Sequence, residues 1–144
     1  PDSRLPTPDS PMPFALRASL LDFTDDPSYT TGAVRWVDDG LLVIDGGRIA
    51  AHGRYADLSP TLAADTEVLD RRGCIVTPGF IDTHLHLPQI DVIASPAAGL
   101  LQWLERHTFP AEAAFADPAV CDDAARFFVD ELARQGTTSA CVFG

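Results

Sequence analysis

The chain has 144 residues, with ten Lys and Arg against 21 Asp and Glu, for a formal net charge of −11. That balance argues against a nucleic-acid binder, which needs a basic patch for phosphates, and no apolar run approaches the ~20 residues of a membrane-spanning helix. The three cysteines, Cys74, Cys121 and Cys141, are scattered with no Cys-x-x-Cys spacing. This predicts buried thiols in a reducing compartment and not a disulfide frame. With no basic stretch leading into an apolar one, the expected location is cytoplasmic.

Residues 1–13 carry five prolines among Asp and Ser and read as a flexible Pro-rich N-terminus that cannot bury apolar surface. Phe14 to Phe23 alternates as a strand does. Asp25-Asp26-Pro27-Ser28 breaks it. A short strand is expected at Val34 to Val37, and a turn at Asp39-Gly40 into a second run, Leu41 to Ile44. Asp45-Gly46-Gly47 then turns back into Arg48 to Ala51, a hairpin signal. Tyr55 to Ala63 suits a short helix. Thr66 to Leu69 reads as another short strand, and Cys74 to Val76 leads into the element that follows. His52 stands in a Gly-Arg context and is expected to be exposed and without a role.

Pro78-Gly79 delivers the chain into Phe80-Ile81-Asp82-Thr83-His84-Leu85-His86. Residues two apart on a strand share a face, so Phe80, Asp82, His84 and His86 face one way. Ile81, Thr83, Leu85 and Leu87 face the other, as on a strand packed under helices. Two His at i and i+2 have Cα atoms roughly 6.6 Å apart, and both rings can then reach one cation at about 2.0–2.1 Å. Asp82 on the same face is the kind of carboxylate that fixes the tautomer of a metal-bound His. A pair of structural histidines is the other reading of the same spacing.

After Gln89 a loop is expected to Ser95-Pro96, which reads as an N-cap followed by Pro at the first helical position. Leu100, Trp103, Leu104 and His107 repeat as one face of a short helix that ends at Phe109-Pro110. Asp117-Pro118 opens a longer helix with an apolar stripe at Val120, Ala124, Phe128 and Leu132. Asp122–Arg126 and Asp130–Arg134 are expected as i,i+4 ion pairs, and Gly136 as the end of the helix. Thr137 to Phe143 is the next strand. Strand, helices and strand form a βαβ unit with the His pair at the carboxyl end of its first strand.

The stretch Pro78 to His86 resembles the first barrel strand of the amidohydrolase superfamily. Leu87-Pro88-Gln89, Leu100-Leu101-Gln102-Trp103-Leu104, Thr108-Phe109-Pro110-Ala111-Glu112 and Gly136-Thr137-Thr138 are similar, within that superfamily, to the guanine deaminase family. The resemblance implies an α/β chain: the start of a metal-dependent (β/α)₈ TIM barrel preceded by a small β-sandwich domain and truncated after the second barrel strand. A whole barrel takes about 250 residues. The implied domains are 14–76 for part of the sandwich and 77–144 for the first βαβ portion.

The resemblance also implies a hydrolase that turns guanine and water into xanthine and ammonia by metal-activated water. His84 and His86 would be metal ligands, and His86, Gln89, Leu101 and Trp103 would bind substrate. One divalent metal ion is implied, with zinc expected and iron an alternative. The implied partners are a small-molecule purine, the rest of the barrel and a second copy of the chain. A catalytic cation wants at least three protein ligands, and His107, on a helix face, is not a convincing third. No catalytic residue is therefore assigned in this chain, and the isolated fragment is expected to be inactive. Where the family often has an aromatic, this chain has His107, which bears on the pocket wall and not on the ligands. Two other functions stay open on these residues. One is another amidohydrolase acting on an amino-heterocycle or cyclic amide; the other is a non-catalytic module in which the His pair is structural.

Overall fold

The computed structural model describes residues 13–144, so the expectation for the N-terminus lies, but for Pro13, outside the described residues. The chain divides into two compact units between Pro78 and Gly79. The first holds strands β1 (Phe14–Phe23), β2 (Val34–Asp45), β3 (Arg48–Arg54) and β4 (Glu67–Val76), with a one-turn helix α1 (Tyr55–Leu58) before β4. They form one mixed sheet in the order β3-β2-β1-β4. β1 is antiparallel to β2 and parallel to β4. β1 lies inside the sheet and carries most of the core: Phe14, Ala15, Leu16, Ala18 and Leu20 are buried, joined by Ala33 and Leu41.

The β2–β3 connection is a two-residue hairpin loop, Gly46-Gly47, with φ of 54° and 71°. Positive φ at both positions is the type I′ geometry whose twist matches the flanking strands. The turn expected at Asp39-Gly40 is absent; β2 runs through it as one strand of 12 residues. Its register against β1 slips there, from Ala18↔Gly40 to Leu20↔Val37. The extra residue is a bulge held by side chains. Asp39 takes a bidentate pair from Arg17 at 2.7 Å for each bond, and Ser19 Oγ donates to the Asp38 carbonyl at 2.8 Å. Gly40 is needed for space and not for a turn, because a Cβ there would lie 2.4 Å from Leu20 Cγ. The short strand expected at Thr66–Leu69 is likewise part of a longer one, running from Glu67 through Cys74 to Val76. The irregularity lies around Gly73, at φ 89°, where the pairing with β1 shifts.

The second unit is a parallel pair, β5 (Phe80–His86) and β6 (Thr137–Phe143), joined through helices. A 3₁₀ segment, Leu87–Val92, follows β5. Helix α2 (Leu100–Trp103), a π-helical turn (Leu104–Thr108) and helix α3 (Phe109–Ala114) run on without leaving helical dihedrals. Helix α4 (Pro118–Arg134) leads to β6. The expected helix stop at Phe109-Pro110 is thus not a stop. Proline removes the N–H that the carbonyl four residues back would use and crowds that carbonyl. The widened π turn just before Pro110 absorbs both effects. Nor does Ser95-Pro96 start the helix; α2 begins after Gly99, and the Ala98 N–H is taken by Gln102 Oε1 at 2.8 Å.

Asp117 caps α4 as expected, accepting from the Ala119 N–H with Pro118 in the first turn. The charge pairs on α4 are Asp123–Arg126 and Glu131–Arg134, three apart, and not the expected pairs four apart. Gly136, at φ 82°, ends the helix, and its carbonyl accepts the Phe80 N–H at 2.8 Å, which starts the β5–β6 ladder. Packing on the second face of β5 is confined to its carboxyl end: Leu85 and Leu87 are half-buried, whereas Ile81 and Thr83 are exposed. The thiols depart from expectation too. All three cysteines are free, with Cys74 and Cys141 exposed and Cys121 half-buried, because β4 is irregular at Cys74 and β6 has one strand neighbour among the described residues.

Candidate metal centre

β5 is short, and every residue of it is at most half-buried. Its alternation still directs the His pair to one side. The Nε2 atoms of His84 and His86 lie 3.0 Å apart, and the ring centroids 5.0 Å apart at an interplanar angle of 46°. Two nitrogens at that separation can both stand about 2.0–2.1 Å from one cation, so the pair fits a divalent metal of the kind imidazole favours. Among the described residues no group of three or more His, Cys, Asp or Glu side chains surrounds a common point. The candidate centre offers these two donors.

Asp82 does not reach either ring; its Oδ1 accepts the backbone N–H of His84 at 3.0 Å. It therefore fixes the strand beneath His84 and leaves the tautomer to other groups. One such group is Gln89, three residues beyond His86. Its Nε2 lies 3.2 Å from His86 Nδ1 and donates to Glu112 Oε1 at 3.0 Å. Because a carboxylate only accepts, Glu112 decides which end of the Gln89 amide faces it. His107 is turned away from the centre, its Nε2 donating to the Pro96 carbonyl at 3.2 Å.

A cleft of about 270 Å³ opens beside the pair, lined by His84, His86, Gln89, Trp103 and Phe128 among others. Of the residues expected to bind substrate, His86, Gln89 and Trp103 are brought together there. Leu101 is not: it is 76% exposed and off the cleft. Leu101 and Trp103 sit two apart on a helix, so their side chains diverge.

Two residues matter here that the sequence did not single out for a role. Phe143, the last residue of β6, is paired in register with His86. Its ring lies 4.8 Å from that of His84 and is stacked on that of His86 at 5.1 Å and 20°. The other is Glu112. Both act from a distance in sequence, and only a strand register or a helix phase could have revealed them.

The model of the Amidohydrolase family matches residues 75–144, a span that begins at the end of β4 and includes the whole second unit. Guanine deaminase of Escherichia coli K12 is 38% identical over 133 residues, which is 90% of this chain and 30% of that protein. Over residues 75–144 the chain resembles the amidohydrolase family. Solved structures agree with this resemblance. Guanine deaminase from Bradyrhizobium japonicum superposes with a TM-score of 0.83 at 33% identity, over 92% of this chain and 29% of the other. Guanine deaminase from C. acetobutylicum, with guanine bound in its active site, superposes with a TM-score of 0.70 at 25% identity, over 91% and 30%. The chain therefore spans about 30% of the length of the relatives it matches.

Proposed function

We propose that the protein carrying this chain is a metal-dependent guanine deaminase, converting guanine and water to xanthine and ammonia on a (β/α)₈ barrel. On this reading β5 and β6 are the first two barrel strands and the first unit is part of a β-sandwich domain. The observation that carries the reading is the convergence of His84 and His86 on one point, Nε2 to Nε2 3.0 Å, at the wall of a cleft, in a chain similar over most of its length to guanine deaminases.

His84 and His86 would hold the divalent cation, zinc or iron, through their Nε2 lone pairs. When bound, such a cation lowers the pKa of its water to about 7 and so supplies a hydroxide nucleophile at neutral pH. The chain's own residues do the rest of what lies in this cleft. Gln89 places an amide, donor and acceptor together, beside the metal pair, as a purine edge requires. Trp103 gives the cleft an aromatic wall for the flat face of a base. Phe143 stacks on the imidazoles and limits their rotation. Since a catalytic site takes at least three protein ligands and the described residues offer two, turnover requires ligands from outside them. The 144-residue chain alone is then inactive. Among the described residues no helix is long and apolar enough to cross a membrane, and the free thiols support a cytoplasmic setting.

The test is turnover of guanine by the metal-loaded full-length protein, followed as xanthine formation and ammonia release, beside other amino-heterocycles and cyclic amides. Conversion of guanine in preference to the others is expected. No conversion of guanine, with turnover of another compound, moves the protein to a different branch of the amidohydrolases.

A further inference from the structure

We propose that Ile93 is a substrate-binding residue of the cleft, held at its rim by a strained turn at Ala94. The inference rests on reading this cleft as the site of a deaminase, and it adds a contact for the ring of the substrate. Ile93 lines the cleft together with His84, His86, Gln89 and Trp103. It is 76% exposed all the same, which places it at the open edge of the cleft and not in its floor.

The backbone there is a type II turn. Ile93 has φ −55° and ψ 129°, Ala94 has φ 60°, and the Ser95 N–H donates to the Val92 carbonyl at 3.1 Å. Those are the dihedrals and the closing bond of that turn, whose third residue is ordinarily glycine. Ala94 is the one residue other than glycine at positive φ among the described residues. A Cβ in this region crowds the neighbouring carbonyl, and such strain persists only where the surroundings hold the backbone. Here they do. His107 Nε2 donates to the Pro96 carbonyl at 3.2 Å, and the Ala98 N–H donates to Gln102 Oε1 at 2.8 Å. On the other side of the turn, Pro88 is buried within the 3₁₀ segment. The turn is fastened at both ends, and Ile93 is presented to the cleft in advance of any ligand.

What Ile93 does there follows from its side chain. It offers no hydrogen bond, and its apolar surface gains from leaving water when a flat ring lies against it. Being β-branched, it has little rotamer freedom to lose on contact. An aliphatic group does not respond to charge developing in the ring, so it holds the substrate and the transition state equally. Such a contact acts on KM and not on kcat.

The experiment measures steady-state deamination of guanine by the metal-loaded full-length protein. Ile93→Ala is expected to raise KM about tenfold, with kcat and bound metal unchanged; Ile93→Val should lose less. Ala94→Pro, whose ring fixes φ at about −65°, removes the turn and should raise KM to the same degree. Combined with Ile93→Ala it should add nothing further, because both changes remove one contact. Ala94→Gly, which accepts a positive φ, should retain the low KM. Ala94→Val replaces the proline variant if circular dichroism shows that one unfolded, since a β-branched residue is equally out of place at positive φ. An unchanged KM in Ile93→Ala, a fall in kcat or bound metal with it, or losses that multiply in the double variant overturns the proposal. If the unaltered protein turns over another amino-heterocycle in place of guanine, KM is read on that compound, and the same rise removes the guanine reading and leaves Ile93 in its role. No turnover of any compound by the unaltered protein ends both.

Discussion

Phe143 and His86 face each other across the parallel strands β5 and β6, their rings stacked at 5.1 Å and 20°. The same phenyl ring is 4.8 Å from His84, so one side chain of the second strand braces both imidazoles of the first. Aromatic pairs of this kind contribute about 0.5–1.5 kcal/mol beyond burial. Phe143→Leu keeps an apolar side chain and removes the ring. It should weaken metal binding by about threefold to tenfold, measured by chelator competition, with little change in the far-ultraviolet circular dichroism.

Direct removal of a donor should act more strongly. His84→Ala or His86→Ala leaves one imidazole where the structure brings two together. Metal content per protein, by elemental analysis after extensive dialysis, is expected to fall well below that of the unaltered protein. Unchanged content would mean that the histidines are structural.

Gly40 tests the packing of the first unit. A Cβ at this position would stand 2.4 Å from Leu20 Cγ and 3.1 Å from the Ala18 carbonyl, and Leu20 is a buried core residue. Gly40→Ala should destabilise the protein by about 1–3 kcal/mol, the usual cost of overpacking, read as a lowered midpoint in urea. Glycine at a true turn would instead tolerate the methyl group in space and object only to the backbone angle.

Acid sensitivity follows from three Asp–Arg pairs on the same unit. The Arg72 guanidinium and backbone hold the Asp70 carboxyl down at about 2. Arg17 holds Asp39, and Arg35 holds Asp22, below the ordinary carboxylate range. A carboxylate whose folded pKa is depressed adds stability above its unfolded value, near 3.9, and loses it as pH falls toward the folded value. Stability should therefore be flat in these pairs above about pH 5 and decline between roughly pH 4 and 2. All three pairs lie near solvent, so the decline is shallow and is reduced in high salt. Urea midpoints across that range at two salt concentrations would show it. Asp70→Asn should remove part of the slope.

Much of this was readable from local pattern. Alternation along Phe80–His86 put the two histidines on one side, Gly46-Gly47 marked the hairpin, and Asp117-Pro118 marked the start of α4. Each of these signals is complete within a few residues, because strand period, turn dihedrals and helix caps are set by neighbours. The misreadings share a cause as well. Asp39-Gly40 has turn composition, yet its glycine answers to Leu20 on another strand and its aspartate to Arg17. Pro110 has breaker chemistry, yet a π turn lets the helix continue.

By itself the sequence determined the element types and the chemical character of the centre: two imidazoles, at the end of a strand, followed by an amide. Only the tertiary structure decided what surrounds them. The β5–β6 register chose Phe143 to face His86, and the helix phase after the π turn brought Glu112 to Gln89 across 23 residues of chain. A one-residue slip in either would present a different side chain, and nothing in the local sequence fixes a register or a phase that depends on how distant segments pack.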